Sequence, residues 1–324
     1  MSHLKQRHDV MWPETQGAYG GRKSGGGDNL LAILALIGSG LSMIVACAAL
    51  VLTVMVSREP AKEELAPVPE PQHMMETPAA TLTYRNKELA VLEEVPVNGY
   101  ITDCFSTQKN GWRTYRNGQQ KARMGIDVSA YQGEVDWKKV AASGVEFVMI
   151  RCGYRGYSRG VITADAKFEQ NIQGALDAGL EVGVYFFSQA VNTWEAREEA
   201  EFTLECIEGY NVTYPVAFDW ETIAGSSDAR TNGMEGSKIT NCAGAFCDVV
   251  AEAGYEPVIY FNQDLGYLGY DLDALKDYTF WLAEYNETPS FYYHFDLWQY
   301  THKGTVPGIE GNVDLNLDFR FPLR

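Results

Sequence analysis

Asp219 and Glu221 stand two apart, on either side of Trp220, at the end of the apolar run "PVAFDWE". Acids are disfavoured inside strands, and packing two of them among apolar groups is costly unless function offsets it. Residues two apart on a strand point the same way, roughly 6.5–7 Å from each other along it. Burial and mutual repulsion push one member of such a pair toward its protonated form, which can then donate a proton at neutral pH. Cleavage of a glycosidic bond uses this pairing. One carboxyl protonates the leaving oxygen while the other handles the positive charge that develops on the sugar. A carboxylate-bound Mg²⁺ or Ca²⁺ is the rival chemistry. Hydrolytic metal sites usually recruit histidine, and beyond residue 122 the chain has only His294 and His302, neither in a ligand pattern. The residues thus ask for no metal and no cofactor.

The elements around the pair repeat. From residue 122 onward, "MGIDVS", "EFVMIRCG", "LEVGVYFFS", "PVAFDWE", "EPVIYFN", "TFWLAEY", "FDLWQY" and "NVDLNLDF" read as short strands. Helical segments separate the earlier ones. "DWKKVAASG" and "DAKFEQNIQGALDAGL" end near a capping glycine, and "TWEAREEAEFTLECIEGY" carries acids in its first turns. Strand–helix alternation predicts a parallel α/β sheet, and eight runs predict closure into a TIM-like barrel. Between the last three runs the connections are too short or irregular for helices, so the barrel should be regular only in its first five units.

In a barrel, alternate residues face inward and the site lies at the C-terminal ends of the strands. Ala217, Asp219 and Glu221 then face inward, with Trp220 toward the helices. Gly125 and Asp127 also face inward, and Asp314 reaches the same end from the last run. Any one acid alone would ordinarily be a surface group or a helix cap. Four converging on one mouth point to a site. Tyr185, Tyr260, Trp281, Trp298 and Tyr300 lie in or at the ends of expected strands. Their flat faces suit pyranose rings, and Gln299, beside Trp298, is expected in the same groove.

The first part of the chain has another texture. Residues 1–29 are polar and glycine-rich and read as a flexible tail. Leu30–Val56 runs for 27 residues without a charge. A membrane span needs roughly 20 such residues, so a transmembrane helix is expected there rather than a cleaved signal peptide. Basic residues in the tail favour a cytoplasmic N-terminus and place the bulk of the chain outside the cell membrane. Residues 57–80, rich in Pro and Glu, read as a stalk. Residues 81–122 read as a neck packed on the following domain, with a hairpin around Asn117–Gly118. Residues 123–324 read as one domain, the one that carries the four acids. With 43 acids against 26 bases the chain carries a formal charge of −17, which argues against nucleic acid as a partner. Five cysteines lie outside the apolar run, none with metal-ligand spacing, and are expected as buried free thiols.

"GIDVSAYQGEVDW", "FVMIRCGYR", "GVYFFS", "PVAFDWE", "VIYFN", "FWLAEY" and "LWQYTHKGTVPGIEGNVDLN" occur in this order. Together they resemble family 25 glycoside hydrolases, lysozymes of the muramidase type, from about residue 124 to the C-terminus. The resemblance implies an irregular (β/α)5β3 barrel. It also implies cleavage of the β-1,4 bond from N-acetylmuramic acid to N-acetylglucosamine in peptidoglycan glycan strands. Carried over by motif, Glu221 is the general acid, Asp219 its partner, and Asp127 and Asp314 the flanking acids. Tyr185 and Tyr260 would line the sugar groove. The expectation is a membrane-anchored wall hydrolase. Two rivals are a wall-binding module without activity and a glucosaminidase- or chitinase-type hydrolase.

Overall fold

In the computed structural model the described residues are 80–320. The expected tail, the transmembrane helix at Leu30–Val56 and all of the stalk except Ala80 lie outside them. Among the described residues, no helix is long and apolar enough to cross a membrane.

Two small sheets come first. Strands β1 (Thr81–Tyr84) and β2 (Lys87–Ala90) form a hairpin, and β3 (Phe105–Thr107), β4 (Arg113–Asn117) and β5 (Gln120–Lys121) form a three-stranded sheet. Arg85 and Asn86 both have positive φ, the requirement of a type I′ turn, and this hairpin went unforeseen. The expected hairpin is present, but Asn117 pairs with Gln120, so Gly118 and Gln119 form the turn. Gly118 alone has positive φ (60°), the pattern of type II′, where glycine bears no Cβ penalty.

The barrel follows. Its strands are β6 (Arg123–Val128), β7 (Phe147–Arg155), β9 (Glu181–Ser188), β10 (Val216–Trp220), β11 (Pro257–Asn262), β12 (Thr279–Ala283), β13 (Leu297–Gly304) and β14 (Val313–Asp318). Short β8 (Ile162–Ala164) pairs only with β7. Neighbours pair in parallel from β6 round to β13, and β14 closes the ring antiparallel to both β13 and β6. Helices α1 (Trp137–Ala142), α2 (Phe168–Asp177), α3 (Thr193–Ile207) and α4 (Gly236–Glu252) follow the first four parallel strands. A π-helical turn and the short α5 (Leu272–Leu275) follow β11. Asp136 and Asn192 cap α1 and α3 through their side chains. The expected glycine stops are present as Gly144 and Gly179, both with positive φ. No helix follows β12 or β13, so an eight-stranded barrel with five helical units and three bare strands is observed.

Strand parity divides the core in two. Phe147, Met149, Ala217, Val258, Tyr260, Trp281 and Leu297 fill the interior, while the opposite faces pack against the outer layer. Gly125 must be glycine, because a Cβ there would lie 2.1 Å from the Phe147 ring.

Residues 91–122 occupy the place of the missing helices. Tyr100 stacks on Phe319 at 4.1 Å and donates its hydroxyl to the Phe295 carbonyl at 2.6 Å. Phe105 meets outward-facing Trp298 edge-on at 5.5 Å, Tyr115 packs on Phe319, and the Trp112 indole donates to the Thr305 carbonyl at 3.1 Å. The neck is therefore the outer wall of β13 and β14. We predict that Tyr115→Ala, which empties a side chain only 2% exposed, destabilises the barrel by about 3 kcal/mol or more in a denaturant titration. A loss below about 1 kcal/mol would mean that this wall is dispensable.

Candidate active site

The end of β10 is held from both sides. Trp220 faces outward, and its indole donates to the Ala190 carbonyl at 3.1 Å. Buried Gln189 donates to the Glu221 carbonyl at 2.7 Å, while its own amide oxygen accepts from Thr231 at 2.9 Å. These contacts fix the backbone that carries both acids. Asp219 faces inward, in register with Phe187 of β9 and Tyr260 of β11, and Glu221 follows one step beyond the strand.

Asp127 and Asp314 are register partners across β6 and β14. Because β14 runs opposite to the others, its beginning lies at the mouth, which is how the last run delivers an acid there. Asp127 Oδ2 accepts from the Gln299 amide at 2.9 Å and the Asn316 amide at 2.8 Å. Those amides are themselves fixed. Trp281 Nε1 donates to Asn316 Oδ1, and the Tyr260 and Tyr285 hydroxyls both donate to Gln299 Oε1, each at 2.9 Å.

All four acids, with Tyr131, Arg151, Tyr185, Tyr260, Trp281, Tyr285 and Gln299 among their neighbours, line one cavity of about 280 Å³. Burial raises the proton affinity of each acid. Asp219 is pushed up first by burial, then by the charges of Glu221 and Asp127, against a smaller opposing effect of Arg151. Burial and Asp314 raise Asp127 despite its two amide donors. Burial and then Asp314 raise Glu221, while a hydrogen bond with Asp219 opposes them. Burial lifts Asp314 to about 6, with His302 working in the other direction. The four acids form a linked set, each holding its proton to higher pH than a free carboxyl would. Asp219 Oδ1 is buried without a hydrogen-bond partner, in a residue that lines the cavity.

Eight of the ten expected site residues meet here, and Trp298 and Tyr300 do not. Period-two alternation puts Gln299 inside and Trp298 outside, where it is fully buried under Phe105 and donates its indole to the Glu284 carbonyl at 2.8 Å. Tyr300 shares that outer face, buried against Trp298. Trp281 lies in the cavity floor at 1% exposure, so it supports the polar network more than it offers a face. Six lining residues escaped the sequence reading, Ser129, Tyr131, Gln132, Arg151, Phe187 and Tyr285, and so did Asn316 behind them. Arg151 is pinned by Asp165 at 2.8 Å, with exposed Tyr131 over its guanidinium at 5.1 Å. Asn316 acts from behind the lining, through Asp127. A charge inside "FVMIRCG", and an Asn in step with Asp314, were the available signals. Among the described residues no cluster of His, Cys, Asp and Glu could hold a metal ion, and all five cysteines are free, three of them buried.

A closed β/α barrel with an acidic, aromatic-lined mouth is the class that fold and site define. The sequence model of glycosyl hydrolases family 25 matches residues 126–309, and the chain belongs to that family. It is 29% identical over 193 residues to an autolytic lysozyme of Clostridium acetobutylicum, covering 59% of this chain and 54% of that one. It is 27% identical over 217 residues to lysozyme M1 of Streptomyces globisporus, covering 63% and 70%. The modular autolysin LytC of Streptococcus pneumoniae superposes with a TM-score of 0.52 at 28% identity, over 66% of this chain and 51% of that one. A family 25 glycosyl hydrolase of Bacillus anthracis gives 0.54 at 23% identity, over 64% and 94%, a likeness of fold. The chain thus spans about half the length of the clostridial and pneumococcal relatives.

The shifts carry a sign for stability. Asp314 binds its proton more tightly folded (about 6) than at its ordinary 3.8, so its contribution is favourable in acid and lost as pH rises through about 6. Asp314→Asn should therefore melt higher than the parent at pH 8, by an amount on the order of 1 kcal/mol, and lose that advantage by pH 4. Equal melting at pH 8 would contradict the burial of charge described here.

Proposed function

We propose that this chain is a muramidase that cleaves the β-1,4 bond between N-acetylmuramic acid and N-acetylglucosamine in peptidoglycan. The observation that carries the reading is the Asp219–Glu221 pair at the mouth, proton-retaining and backed by Asp127 and Asp314. The lysozymes and the autolysin that it resembles support the same substrate.

In this reading Glu221 donates its proton to the glycosidic oxygen. The bond from that oxygen to the anomeric carbon breaks, its electron pair stays on the oxygen, and positive charge builds on the muramic acid ring. The Asp219 carboxyl faces that charge or takes the N–H of the N-acetyl group. Asp127, oriented by Gln299 and Asn316, works with Asp314 to place the water that completes hydrolysis. Tyr185 and Tyr260 wall the sugar, and exposed Tyr131 and Tyr285 flank the mouth.

The uncharged run Leu30–Val56 supports a second element, a catalytic domain tethered outside the cell membrane with the N-terminus in the cytoplasm. Tethering would direct the enzyme at its own wall.

Glu221→Gln should lower the rate of peptidoglycan digestion by about 10²–10⁴-fold, and the parent should generate new muramic acid reducing ends, identified by mass spectrometry. New N-acetylglucosamine ends would instead indicate a glucosaminidase, and digestion unaffected by the substitution would remove Glu221 from the chemistry. For the tether, the native protein should remain in the membrane pellet after an alkaline carbonate wash. A soluble form starting beyond residue 56 would overturn it.

A further inference from the structure

A second cavity, of about 540 Å³, opens beside the mouth and shares Tyr285 with it. Its walls come from two sources. One is Asn110–Arg113, the turn into β4, which precedes the matched family segment at residue 126. The other is the far end of β13, residues 301–304, where register shifts on both sides of Thr301 break the regular pairing with β14. Trp112, buried and bonded to the Thr305 carbonyl, ties the two walls together.

The charge here departs from that of the chain as a whole. The protein carries −17, and the neighbouring mouth gathers four carboxylates. This cavity is lined instead by Arg113, His302 and Lys303 against a single acid, Glu287. Among the described residues Lys303 forms no ion pair. Arg113 reaches Glu287 only at 3.9 Å, and the Glu287 side chain is 90% exposed. The His302 ring lies 4.6 Å from the Tyr285 ring and marks the boundary between the two cavities. An anion is therefore disfavoured in the mouth and favoured immediately beside it.

The geometry points to a subsite for the carboxylate-bearing stem peptide of the glycan strand, held by Arg113 and Lys303 beside the cleavage point. This inference rests on the muramidase reading and deepens it. Muramic acid carries its peptide on the lactyl ether, so a muramic ring seated in the mouth must send a branched, anionic chain to one side of the groove. The cationic cavity next to Tyr285 has the sign and the volume to receive its first residues. The neck is thus both the outer wall of the barrel and a contributor to substrate choice.

The test compares two substrates, using the full chain in detergent. One is peptidoglycan with intact stems, and the other is the same strands with stems removed by an amidase. The ratio of kcat/KM for stem-bearing over stem-free strands should exceed one in the parent. It should fall about tenfold in Arg113→Ala/Lys303→Ala, mainly through KM. An unchanged ratio overturns the subsite. Lys303→Glu, a single change on an exposed side chain, gives the same readout should the double variant fold poorly. If neither substrate is cleaved, the muramidase reading fails, and calorimetry with N-acetylmuramyl tripeptide decides the subsite alone. Binding to the parent, weakened about tenfold by Lys303→Glu, upholds it. Equal affinity, or no binding to the parent, overturns it.

Discussion

Burial of like charge at one end of the barrel governs the rest of this structure. Asp127, Asp219, Glu221 and Asp314 share a cavity of about 280 Å³, where full ionisation is resisted by desolvation and by each acid's neighbours. The surrounding polar groups answer that constraint. Gln299 and Asn316 give Asp127 two donors, and Tyr260, Tyr285 and Trp281 hold those amides in place. Asp219 has no amide donor among the described residues; it shares a hydrogen bond with Glu221, and a proton shared in such a pair is what a glycosidase needs. Destabilisation and chemistry arise from the same placement.

The scaffold meets that cost through its outer layers. Helices cover the first parallel strands, but among the described residues nothing helical covers β13 and β14, which carry Gln299, Asp314 and Asn316. Tyr100, Phe105, Trp112 and Tyr115 supply that cover from a segment before the matched family region. The site therefore depends on residues that belong to no catalytic motif. The same segment, through Asn110–Arg113, lines the cavity beside the mouth, where the proposed stem-peptide subsite lies.

Much of this was legible because strands alternate with period two. Parity alone placed Ala217 and Asp219 inward, Trp220 outward, and Asp127 at the same end as the pair. The same rule, applied to "LWQY", separates Trp298 from Gln299, and treating both as groove residues set it aside. Asn316 was readable by its step from Asp314. The neck was not. Its role rests on aromatic contacts to residues nearly 200 positions away, and nothing local in "DCFSTQKNGWRTYRNG" tells an outer wall from a linker. Tyr131 and Tyr285 sit in connections after the strands, where chain direction follows from tertiary packing.

Burial in the mouth makes its carboxyls hold their protons to higher pH than ordinary ones. A ¹³C NMR titration of the side-chain carboxyl carbons, assigned by single Asp→Asn and Glu→Gln changes, measures this directly. The account predicts at least two mouth carboxyls titrating well above the ordinary carboxylate value of about 4, with midpoints that shift when a neighbour is neutralised. Four independent titrations near that ordinary value would contradict it.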